Sequence, residues 1–386
     1  MMLIQNKKIA IVGGGIGGLT LARLLQLNGA EVSVYERDLN RNVRVQGSTL
    51  DLHEGTGLEA MKRAGLLEEF YKHYRPNASK LRIVDKQLVV KFDDHDEHAS
   101  VAENRPEIDR APLRAILLNS LKEETVVWDS QFVAMEKSGE GWLLHFKHTP
   151  DAYADLVIAA DGANSRVRPY LSDIKPLYSG ITLIEGNIYE AQKNVPNLFE
   201  LTKGGKIMAF GGEQFIGYGT KEDGSIMFVA STKMLENQLS ESIRDFQDRK
   251  QVLHWFRKYF SGWGLGWEEF FTNDSVQFIP RPQYYFPLDQ NWETQASLTM
   301  IGDAAHRMPP FAGEGANVAM QDAFELAECL TNGKHGTLLE AISYFEKDMI
   351  ERGAKATKDT LENGYRMHST TALSEMLNFF SQPAEG

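Results

Sequence analysis

The stretch that decides the fold is Lys8–Glu36, which reads KIAIVGGGIGGLTLARLLQLNGAEVSVYE. It opens with a short apolar run over residues 8–12, and the β-branched side chains there predict a strand buried on both faces. The leucines that follow fall at helical spacing, and Gly29 is suited to end that helix. A second strand over residues 32–35 then delivers Glu36. The order of strand, glycine turn, helix and strand predicts a βαβ unit and therefore an α/β fold.

The glycine turn between the first strand and the helix has the pattern G-x-G-x-x-G. Gly13 permits a tight turn, Gly15 lets the backbone approach a pyrophosphate, and Gly18 lets the helix pack closely on the strand. The helix N-terminus offers unpaired N–H groups to phosphates, and Glu36 can accept hydrogen bonds from an adenosine ribose. A plain glycine turn is the alternative, but the flanking elements favour a dinucleotide site. The unit by itself does not distinguish FAD from NAD.

The composition is that of an ordinary globular protein, with 42% hydrophobic and 24% charged residues. A length of 386 residues gives room for two or three domains. The net charge of -12 argues against nucleic acid or an anionic membrane as partner. The single cysteine, Cys329, excludes internal disulfides and cysteine-rich metal motifs. Neither a leader peptide nor an apolar run of membrane length is apparent, so we expect a cytoplasmic protein with no membrane partner.

A second motif, Gly302-Asp303, ends a buried strand late in the chain and leads through Pro309–Gly315 into a helix. An aspartate at a strand end can bind a hydroxyl-rich chain such as ribitol. A glycine loop at a helix N-terminus can place N–H groups against the N1–C2=O edge of a reduced flavin, which carries negative charge. The alternative for the pair is a turn with an N-cap aspartate. For the nearby His306 we favour a hydrogen-bonded loop histidine over a functional one.

These motifs, together with Asp161-Gly162, resemble those of the group A single-component flavin hydroxylases, which have the p-hydroxybenzoate hydroxylase fold. They occur in that family's order over residues 9–317. The resemblance implies FAD in the first βαβ unit, with NADPH or NADH as the reductant and no second G-x-G-x-x-G. It also implies an α/β fold with a Rossmann-like FAD-binding domain, an inserted mixed β-sheet substrate domain and a long C-terminal helix.

The domain organisation follows from the same comparison and from shifts in composition. We predict the first part of the FAD-binding domain over residues 1–177, with a hairpin at 80–95 that joins the substrate domain. The substrate domain spans 178–275, and its aromatic stretch from Trp255 to Phe271 suits either a flat apolar ligand or a core. The FAD-binding domain resumes over 276–335, and a helical region that bridges both domains covers 336–386.

Within this group the chain is most similar to the tetracycline-inactivating flavin monooxygenases. The similar segments are Val34–Asp38, Gly47–His53, Leu113–Leu121 and Met300–Gly313. The resemblance implies that Asp51, Arg114 and Asp303 contact FAD and that Arg44 helps to bind NADPH. The residues predicted to hold FAD are Gly13, Gly15, Gly18, Glu36, Arg37, Asp51, Arg114, Asp161, Asp303, Pro310, Gly313, Gly315 and Asn317. Those predicted to contact substrate are Glu185, Lys206, Met227, Phe311 and Gly313.

Three of these positions depart from the tetracycline-inactivating enzymes, which hold the polar edge of the drug with Gln, Arg and His. Here the matching residues are Glu185, Lys206 and Met227, and their charge and hydrogen-bonding capacity differ. Glu314 also replaces a usual Gln. From the residues alone, a solvated side chain is an equal alternative for Arg44, and an ion pair is an alternative for Arg114 beside Arg110.

The reaction implied by the resemblance is the transfer of one oxygen atom from a flavin C4a-hydroperoxide to an aromatic, enolic or polycyclic substrate. The flavin would perform the chemistry, so no side chain is predicted to be catalytic. Molecular oxygen and an aromatic or polyketide-like small molecule are the expected partners of a monomer. The alternatives are a flavoprotein oxidase or reductase, and a non-catalytic flavoprotein that sequesters a ligand. No metal is predicted, since the Asp93–His98 tract is interpreted as a solvated loop.

Overall fold

A computed structural model describes residues 3–43, 49–76, 78–95 and 105–381. A five-stranded parallel sheet is built from β1 (Lys8–Val12), β2 (Glu31–Tyr35), β7 (Val126–Val127), β11 (Leu156–Ala159) and β17 (Leu298–Met300). In space these strands lie in the order β17, β11, β1, β2, β7. Strand β1 is central, so residues 9–12 are buried on both faces, as their continuous apolar run predicts.

Helices cover this parallel sheet, and two small sheets are attached to it. The helices are α1 (Ile16–Leu27), α2 (Gly57–Arg63), α3 (Leu67–His73), α4 (Arg110–Ser120), α10 (Asp303–His306) and α11 (Gly315–Thr331). The small sheets are the pair β3 (Leu50–Asp51) and β6 (Glu107–Ile108), and the meander β8 (Phe132–Ser138), β9 (Gly141–Phe146) and β10 (Ala152–Ala154). Helix α1 packs against α4 and α11, so the glycine turn that precedes α1 lies at the centre of this half of the molecule.

A seven-stranded mixed sheet forms the other half of the molecule. Its strands are β4 (Leu81–Asp85), β5 (Val90–Asp93), β12 (Leu177–Ile188), β13 (Lys206–Gly211), β14 (Gln214–Thr220), β15 (Ile226–Lys233) and β16 (Gln277–Tyr285). The spatial order is β16, β12, β15, β14, β13, β4, β5, and the β13–β4 pair is parallel while the other pairs are antiparallel. The predicted α/β fold class, with its mixed second sheet, is confirmed.

Strand β16 shows that the mixed sheet extends past residue 275, where the sequence predicts a return to the FAD-binding domain. Residues 277–285 pair with β12 at one edge of the sheet. Pro280 and Pro282 obscure this strand in the sequence, because proline cannot donate a ladder hydrogen bond. An edge strand tolerates proline when the missing donor faces away from the sheet. The 80–95 segment forms β4 and β5 at the opposite edge.

The face of the mixed sheet that lies away from the parallel sheet is covered by short helices and aromatic side chains. The helices are α5 (Ala191–Asn194), α6 (Pro196–Thr202), α7 (Gln238–Ser242), α8 (Arg249–Tyr259) and α9 (Glu269–Thr272). Trp255, Trp267 and Phe270 are fully buried, and Phe270 stacks on Phe228 of β15 with ring centroids 4.2 Å apart. The aromatic stretch from Trp255 to Phe271 therefore contributes mainly to the core, and it leaves the other face of the sheet for a ligand.

Two helices, α12 (Leu338–Met367) and α13 (Ala372–Ser381), end the described chain. Thr360 on α12 binds the glycine loop, because its hydroxyl donates to the Pro309 carbonyl at 2.8 Å and accepts from the Ala312 N–H at 3.1 Å. Further along, His368 follows α12 and reaches Ser231 of the mixed sheet. Within the described ranges, no helix combines the length and apolarity needed to cross a bilayer.

His368 makes the stability of this junction depend on pH. It is fully buried, its Nδ1 donates to the Gly364 carbonyl at 2.7 Å, and its Nε2 accepts from the Ser231 hydroxyl at 2.8 Å. Burial lowers the pKa of His368 to about 4. The unfolded chain therefore binds the proton more tightly, and the free energy of unfolding falls as the pH drops from about 6.5 to about 4. The expected loss from this group is about 3 kcal/mol at pH 4.

Urea unfolding of the wild type and of His368→Gln at pH 7 and at pH 4 tests this expectation. The variant should lose less unfolding free energy between the two pH values, by about 3 kcal/mol. His254→Gln, which removes an exposed histidine of α8, controls for the loss of a histidine as such. An equal pH dependence in wild type and His368→Gln would contradict the assignment.

Candidate FAD and substrate site

In the glycine turn, close packing excludes a side chain at Gly13 and Gly18, whereas the space beside Gly15 is open. Gly13 has φ +111°, and a Cβ built on it would lie 2.2 Å from the Ala160 carbonyl oxygen. A Cβ on Gly18 would lie 2.2 Å from the Gly13 carbonyl oxygen, so helix and strand touch there. A Cβ on Gly15 would meet nothing within 4 Å. Gly15 is therefore the position where a ligand can approach the backbone.

Glu36 holds the glycine turn against the end of β2. Its carboxylate is buried, Oε2 accepts the Gly14 N–H at 2.6 Å, and Oε1 accepts the Asp38 N–H at 3.0 Å. A carboxylate has about four lone-pair sites, so two remain for ribose hydroxyls. The neighbouring Arg37 is exposed.

Arg114 connects α4 to the same turn. Its guanidinium donates to the Gly14 carbonyl at 3.3 Å and to the Arg41 carbonyl at 3.1 Å, and it forms an ion pair with Asp38 at 3.2 Å. The ion pair that the sequence leaves as an alternative is thus present. Arg114 also lines a large cavity between the parallel sheet and the mixed sheet, so it places positive charge at the glycine turn, next to the cavity.

The two aspartate motifs flank the turn from the neighbouring strands. Asp161 follows β11, accepts the Arg166 N–H at 2.7 Å, and has its pKa raised by burial. Asp303 follows β17, which pairs with β11. Protein atoms surround the Asp303 carboxyl on most sides, and this burial raises its pKa. The remaining side of the side chain faces the cavity and is exposed there. Asp303 is therefore positioned to accept hydrogen bonds from a ligand there.

A buried ion cluster supports the Gly302-Asp303 motif from behind. Asp322 of α11 accepts the Gly302 N–H at 2.8 Å and pairs with His306 Nε2 at 2.6 Å and with Arg352 of α12 at 2.8 Å. Burial opposes charge on Asp322, but the two cations outweigh it and lower its pKa. The pKa of His306 is raised, since Asp322 outweighs the burial that opposes its charge. His306 is hydrogen-bonded, as expected, but as part of an ion cluster.

The extended segment around Asp51 is fastened to the glycine loop and to α11. Asn317 is fully buried, donates to the Asp51 carbonyl at 2.8 Å, and accepts the His53 N–H at 2.9 Å. His53 Nε2 lies 2.9 Å from Asp51 Oδ2, and His53 Nδ1 lies 3.4 Å from Glu314 Oε1. Burial opposes its charge, but these carboxylates raise the pKa of His53 to about 9. The Asn317 side chain thus fixes the backbone of the site, and the carboxylates of Asp51 and Glu314 favour the protonated form of His53.

One cavity of about 1500 Å³ runs from these motifs to the mixed sheet. Ligand pockets are typically roughly 300–1,000 Å³, so this cavity has room for more than one small ligand. Residues of the predicted FAD set that line it are Asp51, Arg114, Asp303, Pro310 and Gly313. All residues of the predicted substrate set also line it: Glu185, Lys206, Met227, Phe311 and Gly313.

The sheet register explains why the middle-domain residues of this set share one face. Lys206 of β13 lies opposite Gly219 of β14, which lies opposite Met227 of β15. Glu185 of β12 lies one row further along, opposite Val229 of β15. Successive residues of a strand point to opposite faces, so these side chains all face the cavity.

The charged residues on this face are paired. Lys206 forms an ion pair with buried Glu107, whose pKa is raised by burial even though Lys206 opposes the shift. Glu107 lies opposite Asp51 in the β3–β6 pair, so Lys206 connects the sheet face to the FAD side of the cavity. Glu185 accepts from Arg281 Nε at 3.0 Å.

Two further predictions concern the NADPH contact of Arg44 and the acidic tract Asp93–His98. Arg44, predicted to bind NADPH, lies outside the described residues. In the described part of the Asp93–His98 tract, Asp93, Asp94 and His95 are close enough to hold a metal ion. However, Asp93 forms ion pairs with Arg82 at 2.8 Å and with Lys203 at 3.4 Å. Its oxygens are thus already neutralised by protein cations.

Comparisons with known proteins agree with this geometry. A family model described as FAD binding domain matches residues 6–175 and 291–341. The chain belongs to this family, and it is a flavin-dependent monooxygenase. It is 27% identical to monooxygenase penA of Penicillium thymicola, over 96% of this chain and 98% of that protein. It is 26% identical to 3-amino-4-hydroxybenzoate 2-monooxygenase PtmB3 of Streptomyces platensis, over 98% of this chain and 93% of that protein.

The fold of this monooxygenase is also similar to that of tetracycline destructase Tet(55). The TM-score is 0.78 at 18% sequence identity, and the match covers 98% of this chain and 96% of that one. FAD is the cofactor of the family, and it supplies the redox and oxygen-activating chemistry when bound. The residues present fit it, because Gly15 is open for a pyrophosphate, Asp303 faces the cavity, and Gly313 lies beside Asp51.

Several residues that build the site carry no clear signal in the sequence. Glu107 can be assigned to the site only from the β3–β6 register. Asp322 can be assigned only from the packing of α11 against the end of β17. His53 lies inside a segment quoted for its resemblance, but its two carboxylate partners come from distant positions. A polar residue inside an otherwise apolar helical stripe, as at Asp322, is the signal that could have been used.

Proposed function

We propose that this flavin-dependent monooxygenase consumes NADPH or NADH and inserts one oxygen atom into an electron-rich aromatic, enolic or polycyclic small molecule. The observation that carries the proposal is the single cavity shared by the FAD motifs and one face of the mixed sheet. A ligand held on that face would lie in the same cavity as the cofactor, which is the requirement for direct oxygen transfer.

The chain's residues supply binding, orientation and exclusion of water. Phe311 of the glycine loop packs on Gly364 of α12, where a Cβ would approach its ring to 2.6 Å, so its ring position is fixed. Phe380 of α13 and Met227 of β15 contribute apolar surface to the cavity walls. Apolar walls exclude water and hold a flat ring by contact area. The ammonium of Lys206 has three N–H donors, so besides its ion pair with Glu107 it can donate to an oxygen substituent of that ring.

Tetracyclines are candidate substrates within this proposal. The likeness to Tet(55) concerns the fold, and the sheet face here presents Glu185, Lys206 and Met227. Of these, Lys206 can donate to the polar edge of such a drug, Glu185 is paired with Arg281, and Met227 offers only apolar contact. This composition favours a ring system with fewer polar groups on the side that faces the sheet.

The experiment is a screen of substrate-stimulated NADPH and NADH oxidation by the FAD-loaded protein. Tetracyclines, other polyketides and simple phenols are tested under ¹⁸O₂, and products are analysed by mass spectrometry. We expect at least one ring compound to gain a single labelled oxygen, with none gained when FAD is omitted. Hydrogen peroxide without product labelling would indicate an oxidase or reductase. Ligand binding without any stimulated NADPH or NADH consumption would indicate sequestration.

A further inference from the structure

Strand β14 has an unusual surface where it crosses the middle of the cavity wall. Its cavity-facing positions are Phe215, Gly217 and Gly219, so two successive positions on this face lack a side chain. Strands β13 and β15 flank it on either side. A bare stretch in a central strand weakens the strand, and it often marks a place where a ligand or another chain segment approaches closely.

Packing within the protein explains Gly217. A Cβ built there would lie 2.6 Å from Cζ of Phe215, whose ring covers the position. Any side chain at this position would displace that ring. Gly217 therefore has a packing role within the protein, because its bare backbone leaves room for the Phe215 ring.

Packing does not explain Gly219. A Cβ at this position would meet Cγ of Lys206 at 3.4 Å as its nearest neighbour and the Gly205 carbonyl oxygen at 3.5 Å, which are ordinary contacts. Its backbone is that of a regular strand, paired with Lys206 on one side and Met227 on the other. Both conformation and space would accept alanine, so the missing side chain leaves room that the protein itself does not use.

The geometry points to Gly219 as a specificity-determining residue, which keeps open a trough for the edge of a flat, fused-ring substrate. This inference rests on the proposed function and specifies the shape of its substrate. Neighbouring strands are about 4.8 Å apart, so β13 and β15 are about 10 Å apart across the trough. An aromatic edge about 3.5 Å thick fits between their side chains. Lys206 of β13 and Met227 of β15 lie opposite Gly219 and form its two rims, and both side chains are flexible.

A graded pair of substitutions tests the inference on the FAD-loaded protein. Gly219→Ala should raise the Tm by about 1–2 °C, because alanine restricts the unfolded chain and the site accepts it. Gly219→Val should weaken binding of 4-hydroxyquinoline, a two-ring probe, by about 10-fold or more, since its methyl groups fill the trough. Binding of 3-hydroxybenzoate, a one-ring probe that fits elsewhere in the cavity, should change by less than about 2-fold. Binding is read from the flavin absorbance.

A compensating variant provides the control. In Gly219→Val/Met227→Ala, the shortened rim should restore most of the lost affinity for 4-hydroxyquinoline, because the two side chains compete for one space. Equal weakening for both probes, no weakening for either, or no binding of 4-hydroxyquinoline by the wild type would overturn the inference. The proposed function fails by a different result, namely normal probe binding with no labelled oxygen in any product.

Discussion

Replacement of Gly15 with alanine is expected to weaken FAD binding by on the order of 100-fold while the apoprotein stays folded. The reason is the contrast within the glycine turn. A Cβ on Gly15 meets no protein atom within 4 Å, so the substitution costs the fold little. That methyl group would instead occupy the space through which a pyrophosphate reaches the N–H groups at the start of α1. Fluorescence titration with FAD measures the affinity, and circular dichroism of the apoprotein measures folding.

Gly18→Ala is the matched comparison, with the same added methyl group three residues along the turn. Its Cβ would lie 2.2 Å from the Gly13 carbonyl oxygen, so this substitution should destabilise the apoprotein itself. The two variants therefore separate a cofactor defect from a folding defect. Normal FAD affinity in Gly15→Ala would show that the pyrophosphate does not lie at this turn.

Asp322→Ala is expected to lower the free energy of unfolding by about 3–5 kcal/mol, the cost of leaving buried charges without their partner. The carboxylate of Asp322 is completely buried and pairs with both His306 and Arg352. It also accepts the Gly302 N–H, so its loss should loosen the strand end that presents Asp303 and weaken FAD binding. Urea unfolding of the apoprotein and FAD titration of the folded fraction measure the two effects.

Glu325→Gln serves as the control for Asp322→Ala. Glu325 binds the same arginine, since its Oε2 lies 2.6 Å from Arg352 Nη1, but it is partly exposed and does not touch Gly302. Its change should cost about 1 kcal/mol or less, because exposed ion pairs contribute little. Similar losses in both variants would mean that the shared partner Arg352 accounts for the effect, and that His306 and the Gly302 N–H add nothing to the role of Asp322.

The sequence predicts the fold and the site best where one short segment contains the pattern that determines the structure. The βαβ unit at Lys8–Glu36 predicts the parallel sheet, the turn and the position of Glu36, because strand period, helix period and glycine spacing are all local properties. The Gly302-Asp303 motif likewise predicts a strand end beside the cavity. In both cases the pattern that makes the prediction is local, although the strand pairs that complete the sheet join distant segments.

The sequence was least informative where a contact depends on register between distant strands. The trough at Gly219 exists because β13, β14 and β15 align Lys206, Gly219 and Met227 in one row. A one-residue slip of β14 against its neighbours would turn the Gly219 position to the opposite face. The ion pair of Lys206 with Glu107 joins residues 99 positions apart in the chain. Strand β16 was not predicted because its prolines are incompatible with a central strand. They are tolerated at the edge of the sheet, and that edge position depends on the tertiary structure.

Helix α12 is long enough to contact both halves of the molecule, and these contacts limit where substrate preference can change. Along its length it braces the ion cluster through Arg352 and the glycine loop through Thr360, and the chain just beyond it reaches the sheet through His368. A substitution on α12 would therefore be expected to disturb the predicted FAD site and the mixed sheet together. New ring preferences are therefore expected to arise on α13 and at cavity-facing sheet positions other than Lys206, which is tied through Glu107 to the Asp51 segment.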